Sequence, residues 1–533
     1  MRKDILDLLQ KRLLDFQEGY RQNVAILGEE LIGKTTILKK FLDGCQAPQI
    51  IPVYVEILPQ EFPLFVKRCL NSLLFNDLKS RQLLSSRENL DILIKRTHES
   101  LPQTALAAET LLKKIDKEKP EKLFAELFDL IELFSAEAER KIVIVFDEFH
   151  HLKTLGYDNI CRDLGKRIML QKNSLFIFAS SHKALAKEIL INDLSLLFGN
   201  FETQELESMK GTDSGKIIFK VFDDIFVSKD LVNFLIYFTG GHPFYLKIVS
   251  EEATLACRAA RKEALDIPTL IRTLEKLLFH EWGVFHLKFT LRLAPFTTVR
   301  SKNDVLYLLD AVALGKNRLK DMTSHLRQAR AQVQQKCHKL VEAGILSKNG
   351  SFYVINDRLM SFWLKYAHAE KLNSLSHDFS EQIIHFQTQV QKEIESFIQV
   401  SQKSVGDRMM DIFNQFEGDE IQFGRKKFQL DAFQELKMIS FDQSSLRTGI
   451  FGKTQGHFWI TAIKEDGITE HDVNEFINMA KSFKQKTVQK ILIGLGDIER
   501  NARLLAKESS IATWDIENLN SLFDIYGKPR IIR

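Results

Sequence analysis

The sequence predicts an α/β chain whose first 206 residues build a five-stranded parallel sheet with helices between the strands. Three observations predict it. Short apolar runs recur between helical stretches, as parallel strands buried on both faces require. The run at 24–27 leads into a loop framed by Gly28 and Gly33, and a helical pattern follows through Ile37, Leu38, Phe41 and Leu42. A second run, 142–146, ends in the paired carboxylates Asp147 and Glu148.

The loop reads Gly28-Glu29-Glu30-Leu31-Ile32-Gly33-Lys34-Thr35-Thr36 and satisfies G-x-x-x-x-G-K-S/T. Gly28 and Gly33 let the backbone bend so that successive N–H groups converge on phosphates. The helix opening at Lys34 adds its positive dipole end. In this pattern Lys34 reaches the β- and γ-phosphates of ATP and the Thr35 hydroxyl ligates Mg2+. An acidic pair at the carboxyl end of a central strand faces such a loop across the sheet. Asp147 is therefore expected to hold Mg2+ through water, and Glu148 to polarise the attacking water. Lys34 and Glu148 are the expected catalytic residues of an ATPase. Residues 175–179 form a further buried run ending in Ser180-Ser181-His182. One of the two serines is a candidate γ-phosphate sensor, the alternative being an N-cap for the helix that follows. The runs at 51–58 and 200–206 complete the five strands.

Bulk composition excludes more than it assigns. In 533 residues the formal net charge is +4 and charged residues make up 27%, so any nucleic-acid contact must come from a local patch. Cys45, Cys69, Cys161, Cys257 and Cys337 are scattered with no C-x-x-C pair, which reads as reduced thiols rather than a disulfide or zinc framework. The amino-terminal 15 residues carry charges every few positions and read as an amphipathic helix without a signal-peptide core. No apolar run approaches the roughly 18 to 20 residues that span a bilayer. These features predict a cytoplasmic protein with no membrane association.

With these motifs in place, the chain resembles the archaeal-type ATPases of the STAND class, an AAA+-related branch of P-loop nucleotide switches. The resemblance covers about the first 370 residues and rests on Asp147-Glu148-Phe149-His150-His151-Leu152, on Thr239-Gly240-Gly241-His242-Pro243-Phe244-Tyr245-Leu246, and on the stretch 352–364 with Trp363. It implies a helical lid whose Gly-Gly-x-Pro helix start, with Pro243, packs on the bound nucleotide. Assembly into an oligomer on nucleotide binding is a further expectation for the chain. Two features depart from the pattern. No Gly-Arg-Glu segment precedes Asn23, and Gly199-Asn200 stand where the family carries Gly-Arg. A phosphate-sensing arginine is thus missing there; Arg162 and Arg167 are the candidate substitutes, with surface helix arginines the alternative reading.

Residues 300–370 read as a winged helix. Apolar spacing predicts helices around 305–314, 319–326 and 329–343, the last stopped by Gly344, then a hairpin whose Asn349-Gly350 pair favours a type I′ turn. On the third helix Arg330, Lys336 and Lys339, with Lys348 on the wing, are the candidate contacts to duplex DNA. The alternative is a module that relays motion within the ATPase.

Residues 371–403 are expected to be a helical connector, from Ile383, Phe386, Val390, Ile394 and Phe397 at helical spacing. Residues 404–533 alternate strands and helices in an order that resembles the restriction-endonuclease-like fold. That resemblance implies a magnesium site with an acid on one strand and Glu-x-Lys on the next. Asp431 matches the first acid on an expected strand 427–436, Lys464 matches the lysine, and Ala462 replaces the glutamate; Glu435 is the candidate substitute. A degenerate, non-cleaving site is the expectation.

The predicted organisation is thus a P-loop ATPase core at 1–206, a lid at 207–299, a winged helix at 300–370, a connector at 371–403 and a nuclease-like domain at 404–533. The function expected is an ATP-hydrolysing switch coupling nucleotide state to DNA or to a partner protein. The alternatives are an ATP-regulated DNA nuclease and a signalling switch with a protein target only.

Overall fold

Six consecutive residues from Asn23 to Gly28 are buried, so their only stable setting is the middle of a sheet covered on both faces. This is strand β1, Asn23–Gly28; β2 is Ile50–Glu56, β3 Lys141–Asp147, β4 Ser174–Ser180 and β5 Phe201–Leu206. All pair in parallel, in the order β2-β3-β4-β1-β5. The structure, a computed structural model, describes residues 2–45, 47–59, 61–84, 86, 88–194, 201–297, 302–373, 379–424, 426–441, 445–482 and 488–533. Asn200, expected to open β5, and its neighbour Gly199 lie outside them.

The chain divides into two compact units, Met1–Ser208 and Met209–Arg533. In the first, one face of the sheet is covered by helices Lys3–Gln17 and Lys34–Asp43, which bury Leu9, Phe16, Leu38 and Phe41 against Val24, Ile26 and Ala179. The other face carries an all-helical insertion between β2 and β3, running from Phe62–Ser80 to Pro120–Ala138. Its phenylalanines Phe65, Phe124, Phe128 and Phe134 fill the core over Phe146, Phe176 and Phe178.

The second unit begins with helices Gly211–Phe222, Lys229–Thr239, Pro243–Ala259 and Ile267–Leu278. Four helices follow, Val284–Thr297, Lys302–Ala313, Leu319–Leu326 and Arg330–Glu342, then the hairpin of β6 (Leu346–Asn349) and β7 (Phe352–Ile355). Helix Phe379–Ser401 is no loose connector. Its Phe386 and Phe397 rings lie against Phe279, Phe234 and Tyr237, with centroids 4.8 to 5.6 Å apart.

Two further sheets complete this unit. Strands β8 (Asp419–Phe423) and β9 (Lys426–Leu430) form a hairpin. Strands β10 (Glu435–Ser440), β11 (Thr448–Lys453), β12 (Phe458–Lys464), β13 (Val488–Gly494) and β14 (Ile511–Trp514) form the second, in that order. It is antiparallel from β10 to β12 and parallel from β12 to β14. The single strand expected at 427–436 is two strands. Leu430 and Phe433 both join the same core, an odd spacing that an unbroken strand of period two cannot satisfy. Between β9 and β10 the chain therefore turns, and Phe433 stacks among Phe413, Phe416 and Trp459.

The tip of the β6–β7 hairpin is clamped onto β8. Ser351 N donates to Glu420 O at 2.8 Å, and Gln422 N donates to Asn349 Oδ1 at 2.7 Å. A Cβ added at Gly350 would lie 1.9 Å from Glu420 O, so only glycine permits this approach. Phe352, at the start of β7, is buried in the core of the 409–531 region against Tyr526. Arg318 lies over that Phe352 ring and pairs with Asp419 at 2.7 Å. Among the described residues no helix is long and apolar enough to cross a membrane.

Candidate nucleotide site

The loop between β1 and helix Lys34–Asp43 has the backbone that its glycines permit. Gly33 has φ 104° and Leu31 φ 61°. A Cβ on Gly28 would meet Ile32 Cγ2 and Leu206 Cβ, both at 2.9 Å. Ile32 is buried, anchoring the loop from below, while Glu30, Leu31 and Thr36 are exposed and Glu29 is half-buried. Lys34 is buried and folds back on its own loop: its Nζ donates to Gly28 O at 3.1 Å and to Glu29 O at 2.9 Å. Burial pushes the ammonium below its ordinary pKa, against the opposing charges of Glu148 and Asp147.

The acids meet this loop. Thr35 Oγ1 donates to Asp147 Oδ2 at 2.7 Å, and Lys34 Nζ stands 3.6 Å from Glu148 Oε1. Asp147 is buried, and its Oδ1 accepts from Glu148 N at 3.0 Å. Glu148 sits in the left-handed region at φ 51° and its Oε2 accepts from Ser181 N at 2.7 Å. The two strand-end acids therefore have separate settings, Asp147 at the Thr35 corner and Glu148 between Lys34 and the end of β4.

The core is a P-loop nucleotide-binding fold.

No family model matches the chain, and no curated protein matches it either. Among solved structures it is similar to the Walker-type ATPase PABY2304 of Pyrococcus abyssi, at 16% identity over 68% of this chain and 97% of that one, with a TM-score of 0.47. It is also similar to the Aeropyrum pernix ORC2 protein in ADPNP–ADP complexes, at 11% identity over 76% and 95% of the two chains and a TM-score of 0.41. The Aeropyrum pernix ORC1 protein in complex with DNA shares 12% identity over 68% and 92%, with a TM-score of 0.39.

Residues that sequence reasoning missed sit beside the acids. Tyr54 Oη, from β2, donates to Asp147 Oδ2 at 2.8 Å. Burial and the adjacent Asp147 carboxylate push the Tyr54 phenol far above its ordinary pKa. The register of β2 against β3, with Tyr54 opposite Val145, brings it there, and no sequence pattern marks it. His150 Nδ1 lies 2.9 Å from Ser180 Oγ and 3.4 Å from Glu148 Oε2. Burial, then the neighbouring His151, His182 and Lys34, lowers its pKa to about 4. Ser180 is fully buried and its Oγ also accepts from His182 N at 3.1 Å. The side chain expected as a sensor is thus engaged with His150, while its neighbour Ser181 holds Glu148 through the backbone.

The other expected site residues lie in the second unit. Pro243 opens helix Pro243–Ala259, and Gly241 precedes it with φ 71°; a Cβ there would fall 2.4 Å from Met209 O. The expected basic face of helix Arg330–Glu342 is not a single stripe. At about 100° per residue, Arg330 and Lys339 lie about 180° apart around the axis. Both are exposed, flanking an exposed arc of Gln334, Gln335 and His338, while Lys336 is half-buried and its Nζ donates to Gln328 Oε1 at 2.8 Å. Lys348 on β6 is exposed, over the Tyr353 ring at 5.8 Å.

The structure does not bring Asp431, Glu435 and Lys464 together. Asp431 lies beyond β9 and pairs with His457 at 2.9 Å, and Glu435 begins β10 opposite Lys453, which is opposite Phe458. Lys464 is at the far end of β12, six residues on, or roughly 20 Å along the strand. There its Nζ pairs with Asp472 at 2.7 Å. Opposite Ala462 on β11 stands Gly449, where an added Cβ would lie 2.4 Å from the Phe441 ring. Neither position of that pair offers a carboxylate.

Proposed function

We propose that the chain is a magnesium-dependent ATPase that acts as a nucleotide-controlled switch. The observation that carries this reading is the meeting of Thr35 with Asp147 at 2.7 Å beside Lys34 and Glu148. The residues fit the ligand: a hydroxyl and a carboxylate are the hard oxygen donors that magnesium takes, and the buried Lys34 ammonium, 3.6 Å from Glu148, donates to two loop carbonyls that a phosphate would replace. Bound magnesium would neutralise charge on the β- and γ-phosphates.

In this reading the N–H groups of Gly28 to Thr35 and the start of helix Lys34–Asp43 cradle the phosphates. Lys34 turns from Gly28 O and Glu29 O to the β/γ-phosphates. Glu148 orients the attacking water, which requires its Oε2 to leave the N–H of Ser181. His150, close to both Glu148 and Ser180, sets where that carboxylate rests. A single assay tests the reading: ATP hydrolysis by the purified chain, compared with Lys34→Ala and Glu148→Gln. Turnover equal in all three overturns it.

The outputs of the switch belong to the second unit. Residues 302–355 have the element order of a winged helix, and the helix Arg330–Glu342 carries cations on both flanks of a Gln-rich exposed arc. That spacing suits a major groove, with Arg330 and Lys339 toward phosphates and Gln334 and Gln335 toward base edges. Duplex DNA is therefore the favoured partner, and a protein partner the alternative. The strand order of 404–533 supports a nuclease-like fold without cleavage, since its expected active-site residues are spread along the sheet.

A further inference from the structure

A cavity of about 150 Å3 lies within the unit Met209–Arg533. It is walled by aromatic rings, among them Tyr237, Phe238, Phe362 and Tyr366. An engineered apolar cavity of about 150 Å3 takes up a benzene ring, so the space here suits one six-membered ring.

Its charged lining is unbalanced. Among the described residues, Arg358, Lys365 and Arg530 face only Asp524 and Glu393, leaving one positive charge in excess. Asp524 already serves two guanidiniums, Arg530 Nε at 2.9 Å and the Nη1 of Arg358, which also lies 3.8 Å over the Tyr237 ring. Burial raises the Asp524 carboxyl, but Arg530 and Arg358 outweigh it and hold it below its ordinary pKa. Glu393 is shared among Tyr237 Oη at 3.3 Å, Tyr366 Oη and Lys365 Nζ at 3.5 Å. Each guanidinium presents five donors and the ammonium three, far more than two carboxylates can accept.

A further cation stands behind this wall. Arg408 is buried against the Phe523 ring, next in the chain to Asp524, and among the described residues its Nε has no hydrogen-bond partner. Its one described acceptor is Pro529 O, and among the described residues it forms no ion pair. Buried positive charge without an acid is costly, and an anion in the cavity would offset that cost.

We propose that this cavity binds a small aromatic anion, a monocyclic aromatic carboxylate or phosphate, with its ring among the tyrosine and phenylalanine side chains and its charge against Arg530 and Lys365. Carboxylate and phosphate both suit arginine because two parallel N–H donors can meet two of their oxygens. Aromatic walls favour a flat ring over an aliphatic body of similar size. The site draws on residues 237–366, on Glu393 and on 524–530, so an occupant ties together segments far apart in sequence.

The test is titration calorimetry of the full chain with benzoate, phenyl phosphate and neutral benzyl alcohol. Phenyl phosphate is also offered to Lys34→Ala, so that binding at the phosphate loop is not counted. Two variants probe the cavity independently: Ala313→Phe fills it without touching a charge, and Arg530→Met removes a cation. Saturable binding of at least one anion with a Kd of about 0.1–1 mM is expected, tenfold or more tighter than the alcohol. Each variant that keeps a cooperative thermal transition should weaken the anion at least tenfold. The tighter of the two anions tells carboxylate from phosphate as the preferred head. Absence of saturable binding by either anion, or an affinity within twofold of the unmodified protein in a folded variant, overturns the proposal.

Discussion

Tyr54 Oη and Thr35 Oγ1 donate to the same oxygen, Asp147 Oδ2, at 2.8 and 2.7 Å. Thr35 is the expected metal ligand, so Tyr54 is a positioning residue that fixes the carboxylate beside it. A hydrogen bond to a charged acceptor contributes about 1.5–3 kcal/mol. Tyr54→Phe should raise the free magnesium needed for half-maximal ATP hydrolysis severalfold, while metal-free nucleotide affinity stays unchanged. An unchanged magnesium titration would show that Asp147 needs no second hydroxyl.

Lys34 and Glu148 should separate binding from turnover. Lys34→Ala removes the cation that neutralises the phosphates and should weaken ATP at least tenfold in equilibrium titration. Glu148→Gln should bind ATP normally and hydrolyse it about 10²-fold more slowly or worse, in line with the loss of a general base. Wild-type turnover in Glu148→Gln would assign water activation elsewhere.

Acid should destabilise the first unit through His150. Its pKa is lowered from 6.5 to about 4, so between those values the unfolded chain binds the extra proton. Stability therefore rises with pH across that window and is lost as pH falls through it. Melting temperatures between pH 7 and pH 4.5 should fall less steeply for His150→Asn than for the unmodified protein. Parallel slopes would mean that His150 titrates normally.

Duplex DNA binding, if it runs through helix Arg330–Glu342, should depend on salt. Each phosphate neutralised contributes about −0.9 to the log–log slope, so Arg330→Ala with Lys339→Ala should flatten it by up to about 2 units. Lys336→Ala should contribute little, because Gln328 holds its ammonium. Binding that survives the double change with its slope intact would favour the protein-partner reading.

Supercoiled plasmid should remain uncut by the purified protein with ATP and magnesium. Ala462→Glu should not create nicking, since Gly449 stands opposite and Lys464 is held by Asp472. Burial raises the Asp472 carboxyl, but the Lys464, Ser445 and Thr469 hydrogen bonds bring it to about 2, so the carboxylate that holds Lys464 stays ionised at neutral pH. Nicking by the unmodified chain that Asp431→Ala abolishes would reverse this conclusion.

The sheet and its loop were legible in the sequence because their signals are local. The runs before Gly28 and Asp147 are short, apolar and bounded, and the glycine spacing of the loop has one structural use. Tyr54 was invisible because its role depends on strand order, which periodicity does not encode. The C-terminal strands were misjudged for the same reason. Asp431 and Glu435 read as two pleats apart on the same side of one strand, but the inward demand of Phe433 breaks the strand between them. Lys464 matched a motif by spacing, while its geometry is set by Asp472 on the next helix. Arg330 and Lys339 were legible as exposed residues but not as opposite flanks until the buried arc of Val333, Cys337 and Leu340 was placed.

The clamp of Asn349 and Ser351 on β8 bears on how the protein can be dissected. Deleting everything after residue 403 would strip the cover from Phe352 and leave Arg318 without Asp419. The remaining fragment would expose a hairpin edge and an aromatic ring, a combination that favours aggregation. Insolubility of such a fragment would then report a torn core rather than the loss of an independent domain's activity. A point change in the hairpin itself, such as Asn349→Ala, which removes the acceptor of Gln422 N, is the gentler way to ask what the hairpin does when released.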